Sequence, residues 1–173
     1  GETLVVFTAG IGVISLLRVS RRTKEEEKQK TPADMQQQII LRVVVKWLLP
    51  LILIFALYVQ FHGDYGPGGG FQAGVIFAAG IILYTMLFGL SNASRVFQPE
   101  LLELLAALGV LLYGGVGIDA ILLGGNFLDY NVLASDPVKG QQMGIILIEL
   151  GVGLTVTGVL LSIYHAFAAR GKV

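Results

Sequence analysis

Five apolar runs set the terms for this chain: Thr3–Val19, Val43–Phe61, Phe71–Leu90, Leu101–Leu123 and Gln142–Phe167. A bilayer core about 30 Å thick is crossed by about 20 helical residues, with about 17 as the lower limit. The last four runs meet that length with room to spare and the first only just. Composition agrees, because the 173 residues are 54% hydrophobic and only 14% charged. An ordinary soluble domain carries about a quarter of its residues as charges, and so few cannot cover a globule of this size. The reading is therefore an all-α polytopic membrane protein, a four-helix transmembrane block preceded by one extra transmembrane helix. Zero formal net charge excludes a nucleic-acid binder relying on bulk basicity. The lack of cysteine removes disulfides, thiolate metal sites and cysteine nucleophiles, and leaves the redox compartment open.

The first run competes with a signal peptide, which begins with basic residues and ends near small ones. Here Glu2 precedes the run and Arg18, Arg21 and Arg22 follow it, so a transmembrane helix is expected. The run is short and begins at Gly1 instead of methionine, so further chain is expected before it. Lysine and arginine in short loops mark the cytoplasmic side. With alternating spans, eleven of the twelve basic residues fall on one side and only Lys139 on the other. The expected topology has the N-terminus outside and the C-terminus in the cytoplasm.

Three segments follow from the composition: an N-terminal helix over 1–22, a cytoplasmic polar linker over 23–38 rich in Lys, Glu and Gln, and a four-helix membrane domain over 39–173. Pro50 sits within the second run, where it removes a backbone hydrogen bond and favours a kink. Lys46, one turn earlier, is placed to snorkel to headgroups or to enter a buried ion pair.

Between the second and third runs the chain reads Phe61-His62-Gly63-Asp64-Tyr65-Gly66-Pro67-Gly68-Gly69-Gly70-Phe71-Gln72-Ala73-Gly74. Three glycines after a proline suit a tight fold-back or a close approach to a neighbouring chain. A phosphate-cradling loop needs a preceding strand and a following Lys-Ser/Thr, and neither is present.

At these residues the sequence resembles the B subunit of multi-subunit Na+/H+ antiporters of the Mrp/Mnh type. That family has a Pro-Gly-Gly-Gly-Phe turn after an aromatic-rich helix end, then a glycine-rich helix. Pro67, Gly68, Gly69, Gly70, Phe71 and Gly74 match in place, and His62 and Gly63 fit the lead-in; Ala73-Gly74 stands where the family often has a glycine pair. The resemblance covers about Met35 to the C-terminus. Residues 1–13 look like the closing helix of the neighbouring small domain in the same complexes, found there as the tail of the large A subunit or as a separate chain. The resemblance implies a fusion of the two, other membrane subunits as partners, Na+ and protons as the complex's transported ions, and residence in the cytoplasmic membrane. It implies no cofactor.

Independently of any family, ionisable groups inside a membrane are functional candidates, because an unpaired charge there is costly. Asp119 and Glu149 fall in the expected outer half of the membrane, and His62 and Asp64 at its outer surface. Glu103 and His165 fall on the cytoplasmic side. Two readings of Asp119 and Glu149 stand. They line a hydrated entry path for a cation or proton, since carboxylate oxygens bind hard cations and exchange protons; or each pairs with a polar group on another subunit. For His62, Asp64 and the glycine turn, loop capping or an interface is expected.

In the last run Gly144, Gly151, Thr155, Gly158 and Ser162 share one side at helical spacing, a small-residue stripe that permits close helix approach. Glu149, Gly153 and Thr157 fall roughly opposite, so protein is expected on both sides. The fourth run, with Gly109, Gly114, Gly115 and Gly117, also reads as tightly packed. The function expected is a non-catalytic subunit of a monovalent cation/proton antiporter, supplying interfaces and a candidate part of the ion path. The alternative is a structural adaptor in a membrane-bound hydrogenase or complex-I-like assembly. An enzyme is disfavoured, because no nucleophile–base pair, HExxH or clustered metal spacing occurs.

Overall fold

The computed structural model describes residues 32–63, 68–88 and 97–170. They form four helices: α1 (Pro32–Phe61), α2 (Gly70–Phe88), α3 (Pro99–Leu122) and α4 (Pro137–Arg170), with a 3-10 turn at Tyr130–Leu133 between the last two. No strand occurs among the described residues. Ile39–Phe61, Gly70–Phe88, Pro99–Leu122 and Pro137–Ala168 are each long and apolar enough to cross a membrane. The all-α, four-span block expected from the apolar runs is thus the architecture observed. The run Thr3–Val19 and the polar residues to Thr31 lie outside the described residues.

Helix ends follow local chemistry more than hydropathy. α1 begins at Pro32, inside the stretch read as linker, because proline suits a first helical turn and Ala33, Met35 and Gln36 to Gln38 are sound helix formers. It runs unbroken through Pro50. α3 starts at Pro99 after an extended Gln98. It stops where Gly124 takes a φ of 88°; Gly124 N–H then donates to Ile121 O and Gly125 N–H to Ala120 O, both at 3.0 Å, which satisfies carbonyls left open at the helix end. α4 starts at Pro137, ahead of the apolar run, because Asp136 Oδ1 accepts from Val138 N–H at 3.0 Å and caps the first turn.

α4 is the centre of the molecule. It packs along α3 on one side and α2 on the other, while α1 packs on α2 and meets α4 only marginally. The helices therefore stand roughly in a row, α1–α2–α4–α3. At the end holding the α2–α3 connection, Ala78, Ile81, Leu102 and Leu161 form an aliphatic core flanked by Ile82, Phe97 and Leu160. His165, one turn beyond Leu161, is buried with Nδ1 3.0 Å from Leu161 O. Its Nε2 has no hydrogen-bond partner among the described residues. Lys46 is exposed and places Nζ 5.7 Å from the Phe88 ring centre, a cation–π contact at the same end.

At the opposite end the connection between α3 and α4 folds back over both. Phe127 lies against Gly117 of α3, and Tyr130 against Gly140 and Gly144 of α4.

Candidate functional site

Three elements converge on Glu149. The residue sits on α4, half-buried, where α1 ends and α2 begins. A Cβ at Gly63, just past α1, would fall on the Glu149 carboxylate, and one at Gly69 would lie 3.1 Å from Oε1. A Cβ at Gly70, the first residue of α2, would overlap the Glu149 carbonyl oxygen. The turn therefore needs glycine for space, and at Gly69 also for a φ of 119°, which side-chain-bearing residues rarely adopt. Gly69 N–H donates to Val59 O at 3.1 Å, and His62 N–H to the same carbonyl at 3.4 Å, so the turn closes over the last carbonyls of α1.

The electrostatics follow from this geometry. Aligned peptide dipoles give a helix N-terminus about half a positive charge, which favours a nearby anion. The Glu149 carboxylate lies beside the first residues of the 19-residue α2 and gains from that field. The C-terminal end of α1, carrying the opposite partial charge, is also close. The carboxylate thus sits between the positive end of one helix and the negative end of another.

Two amides complete the surroundings. Gln60 is buried on α1, its Oε1 pressed against Gly153 of α4; Gln72 Oε1 would lie 3.6 Å from a Cβ at Gly69. His62 stacks on Tyr58, with ring centres 4.8 Å apart. Among the described residues no three of His, Cys, Asp and Glu converge as a metal site would require. The chemistry on offer is that of one carboxylate flanked by amide and backbone oxygens, which can exchange a proton or bind a monovalent cation weakly.

Below the carboxylate the approach of α2 and α4 stays close. A Cβ at Gly74 would lie 2.8 Å from Gly153 O and 2.9 Å from Val156 Cβ, and Thr157 Oγ1 donates to Gly74 O at 3.2 Å. On the other side of α4, Gly151, Thr155 and Gly158 face α3. Thr155 Oγ1 donates to Ala106 O at 3.3 Å, and a Cβ at Gly158 would lie 2.6 Å from Leu102 O. Gly144 belongs to this row in sequence but meets Tyr130 of the connecting turn, and Ser162 Oγ donates to Gly158 O of its own helix at 2.8 Å.

Asp119 is placed elsewhere. It is exposed on α3, outside the buried row Leu102, Gly109, Val116, Gly117 and Ala120. The structure does not bring it together with Glu149, which faces α2. Glu103 is exposed near the start of α3, and Phe71 is exposed on α2. Asp64 and Pro67 lie outside the described residues. Sequence reasoning passed over Gln60 and Gln72. The signal for Gln60 was present, as an amide within an otherwise apolar span.

Comparison with known proteins bears on the same region. Residues 40–162 match the family model described as a domain related to the MnhB subunit of Na+/H+ antiporter. The chain is 32% identical over 133 residues to the Staphylococcus aureus strain Newman protein named "Putative antiporter subunit mnhB2", covering 74% of this chain and 92% of that one. The protein of the same name from strain COL matches to the same extent.

Proposed function

The chain belongs to the family of domains related to the MnhB subunit of Na+/H+ antiporters, and from that premise we propose that it is a non-catalytic membrane subunit of a multi-subunit Na+/H+ antiporter. In this reading it supplies interfaces to other membrane subunits, and Glu149 is its contribution to the ion path. The observation that carries the second part is the seat of the Glu149 carboxylate, against the glycine turn and the start of α2. The glycine turn positions the carboxylate. The basic residues put the C-terminus in the cytoplasm and Glu149 in the outer half of the cytoplasmic membrane. Residues 1–22, by their resemblance alone, are assigned to a fused neighbouring domain, with 39–173 as the B-subunit-like unit.

The test is Na+-dependent collapse of a pH gradient in everted membrane vesicles carrying the whole complex. Glu149→Gln keeps the size and removes the charge. It is expected to abolish antiport while every subunit still co-purifies, and Glu149→Asp to retain part of the activity. Full antiport in Glu149→Gln, or loss of assembly, overturns the ion-path role. Redox subunits in the purified complex would overturn the antiporter reading in favour of a hydrogenase-type assembly.

A further inference from the structure

The four glycines of α3 divide into two pairs. Gly109 is filled by Thr155 and Gly151 of α4, and Gly117 by Phe127. Around Gly114 and Gly115 a Cβ would meet nothing within 4 Å. Gly115 lies on the face turned away from α4, in a row with Leu104, Leu108, Leu111, Ile118 and Leu122, alternately four and three residues apart. Leu111 is 68% exposed, Ile118 56% and Leu122 78%. Asp119 lies at the edge of this row, exposed, and no described residue bonds its carboxylate.

Lipid chains fill the space beside a leucine as readily as beside a glycine, so a lipid-facing surface gives no reason for the notch. A second helix does, because small residues let two backbones approach closely. A heptad-like spacing of three and four is also the pattern along which two helices pack. The carboxylate adds the charge of the partner, since an ionised group within a span is stabilised by an opposite charge at its own depth.

We propose that this face of α3 docks a transmembrane helix of another subunit, one that lays its backbone over Gly115 and carries a lysine or arginine opposite Asp119. The proposal rests on the chain being part of a multi-subunit complex.

The lack of cysteine makes the test direct. Leu111→Cys and Ile118→Cys, each labelled with a benzophenone maleimide in the assembled complex, are photolysed and the adducts sequenced. Both are expected to join one transmembrane segment of a different subunit, and that segment contains a basic residue. Asp119→Lys is expected to lower recovery of that subunit about tenfold, the ratio that a coupling of roughly 1–2 kcal/mol produces. Asp119→Glu should keep it, and reversing the partner's basic residue should restore binding to Asp119→Lys. Adducts with lipid only, with a second copy of this chain or with a segment lacking Lys and Arg overturn the proposal, as does undiminished recovery with Asp119→Lys. Those results leave the subunit reading standing. A wild-type chain that purifies with no other subunit overturns both.

Discussion

Two glycines packed against the same glutamate have different work to do. At Gly63 an added Cβ meets the tip of the Glu149 side chain, whereas at Gly70 it meets the Glu149 backbone. A side-chain tip can rotate away at small cost, while helix backbone cannot move without separating α2 from α4. Gly63→Ala is therefore expected to disturb antiport with little change in the melting temperature of the detergent-solubilised complex. Gly70→Ala is expected to lower that temperature, at a cost of about 1–3 kcal/mol, the usual range for overpacking. Equal melting of the two variants would show that α2 and α4 do not approach as closely as described. The motif around these residues was legible in the sequence as a tight turn. Its proximity to Glu149 was not, because 79 positions separate Gly70 from Glu149 and no local rule reaches that far.

At the scale of the element, α4 shows which force holds the block together. Thr155 and Thr157 each donate to a neighbouring helix, to Ala106 O at 3.3 Å and Gly74 O at 3.2 Å. Each hydroxyl has one proton, which it shares with a nearer carbonyl of α4 itself, Gly151 O at 2.9 Å and Gly153 O at 2.7 Å. Losing the interhelical bond leaves the hydroxyl's alternative partner in place, and such bonds in membranes average about 0.6 kcal/mol. Packing is worth more: a Cβ at Gly109 would overlap both Thr155 Oγ1 and Gly151 O. Thermal denaturation is expected to rank Gly109→Ala, at about 1–3 kcal/mol, well above Thr155→Val, at about 0.6 kcal/mol. The reverse order would make the hydroxyls the main glue. The two-sidedness of α4 follows from helical periodicity, which sets Gly151 and Gly158 apart from Glu149 and Gly153. Periodicity does not say which helix lies on which side, nor that Gly144 meets a loop.

For the molecule as a whole, the row α1–α2–α4–α3 is an open layer. α1 leaves Trp47, Leu51, Ile54, Phe55 and Tyr58 exposed along its length, and α3 does the same with its outward face. Among the described residues nothing covers these surfaces. The bias of basic residues predicts that the Pro137 end of α4 faces outward and the Arg170 end faces the cytoplasm. In right-side-out vesicles of this cysteine-free chain, Val138→Cys is expected to react with a membrane-impermeant maleimide and Lys172→Cys to stay unlabelled. The opposite pattern would invert the topology and move Glu149 to the cytoplasmic half.

The order of residues along the chain is enough for the class of structure, the four described spans and the small-residue character of the last helix. Those depend on hydropathy, length and helical period, which act over a few turns. The place of α4 between α2 and α3 was decided only by tertiary structure, as were the seating of Glu149 on the glycine turn and the separation of Asp119 from it. Such pairings depend on which glycines of distant helices line up in depth, and complementarity of that kind exists only once the helices have packed. The sparse charges exclude a soluble globule from the sequence alone; which carboxylate faces a neighbour within the chain is a property of the packed helices.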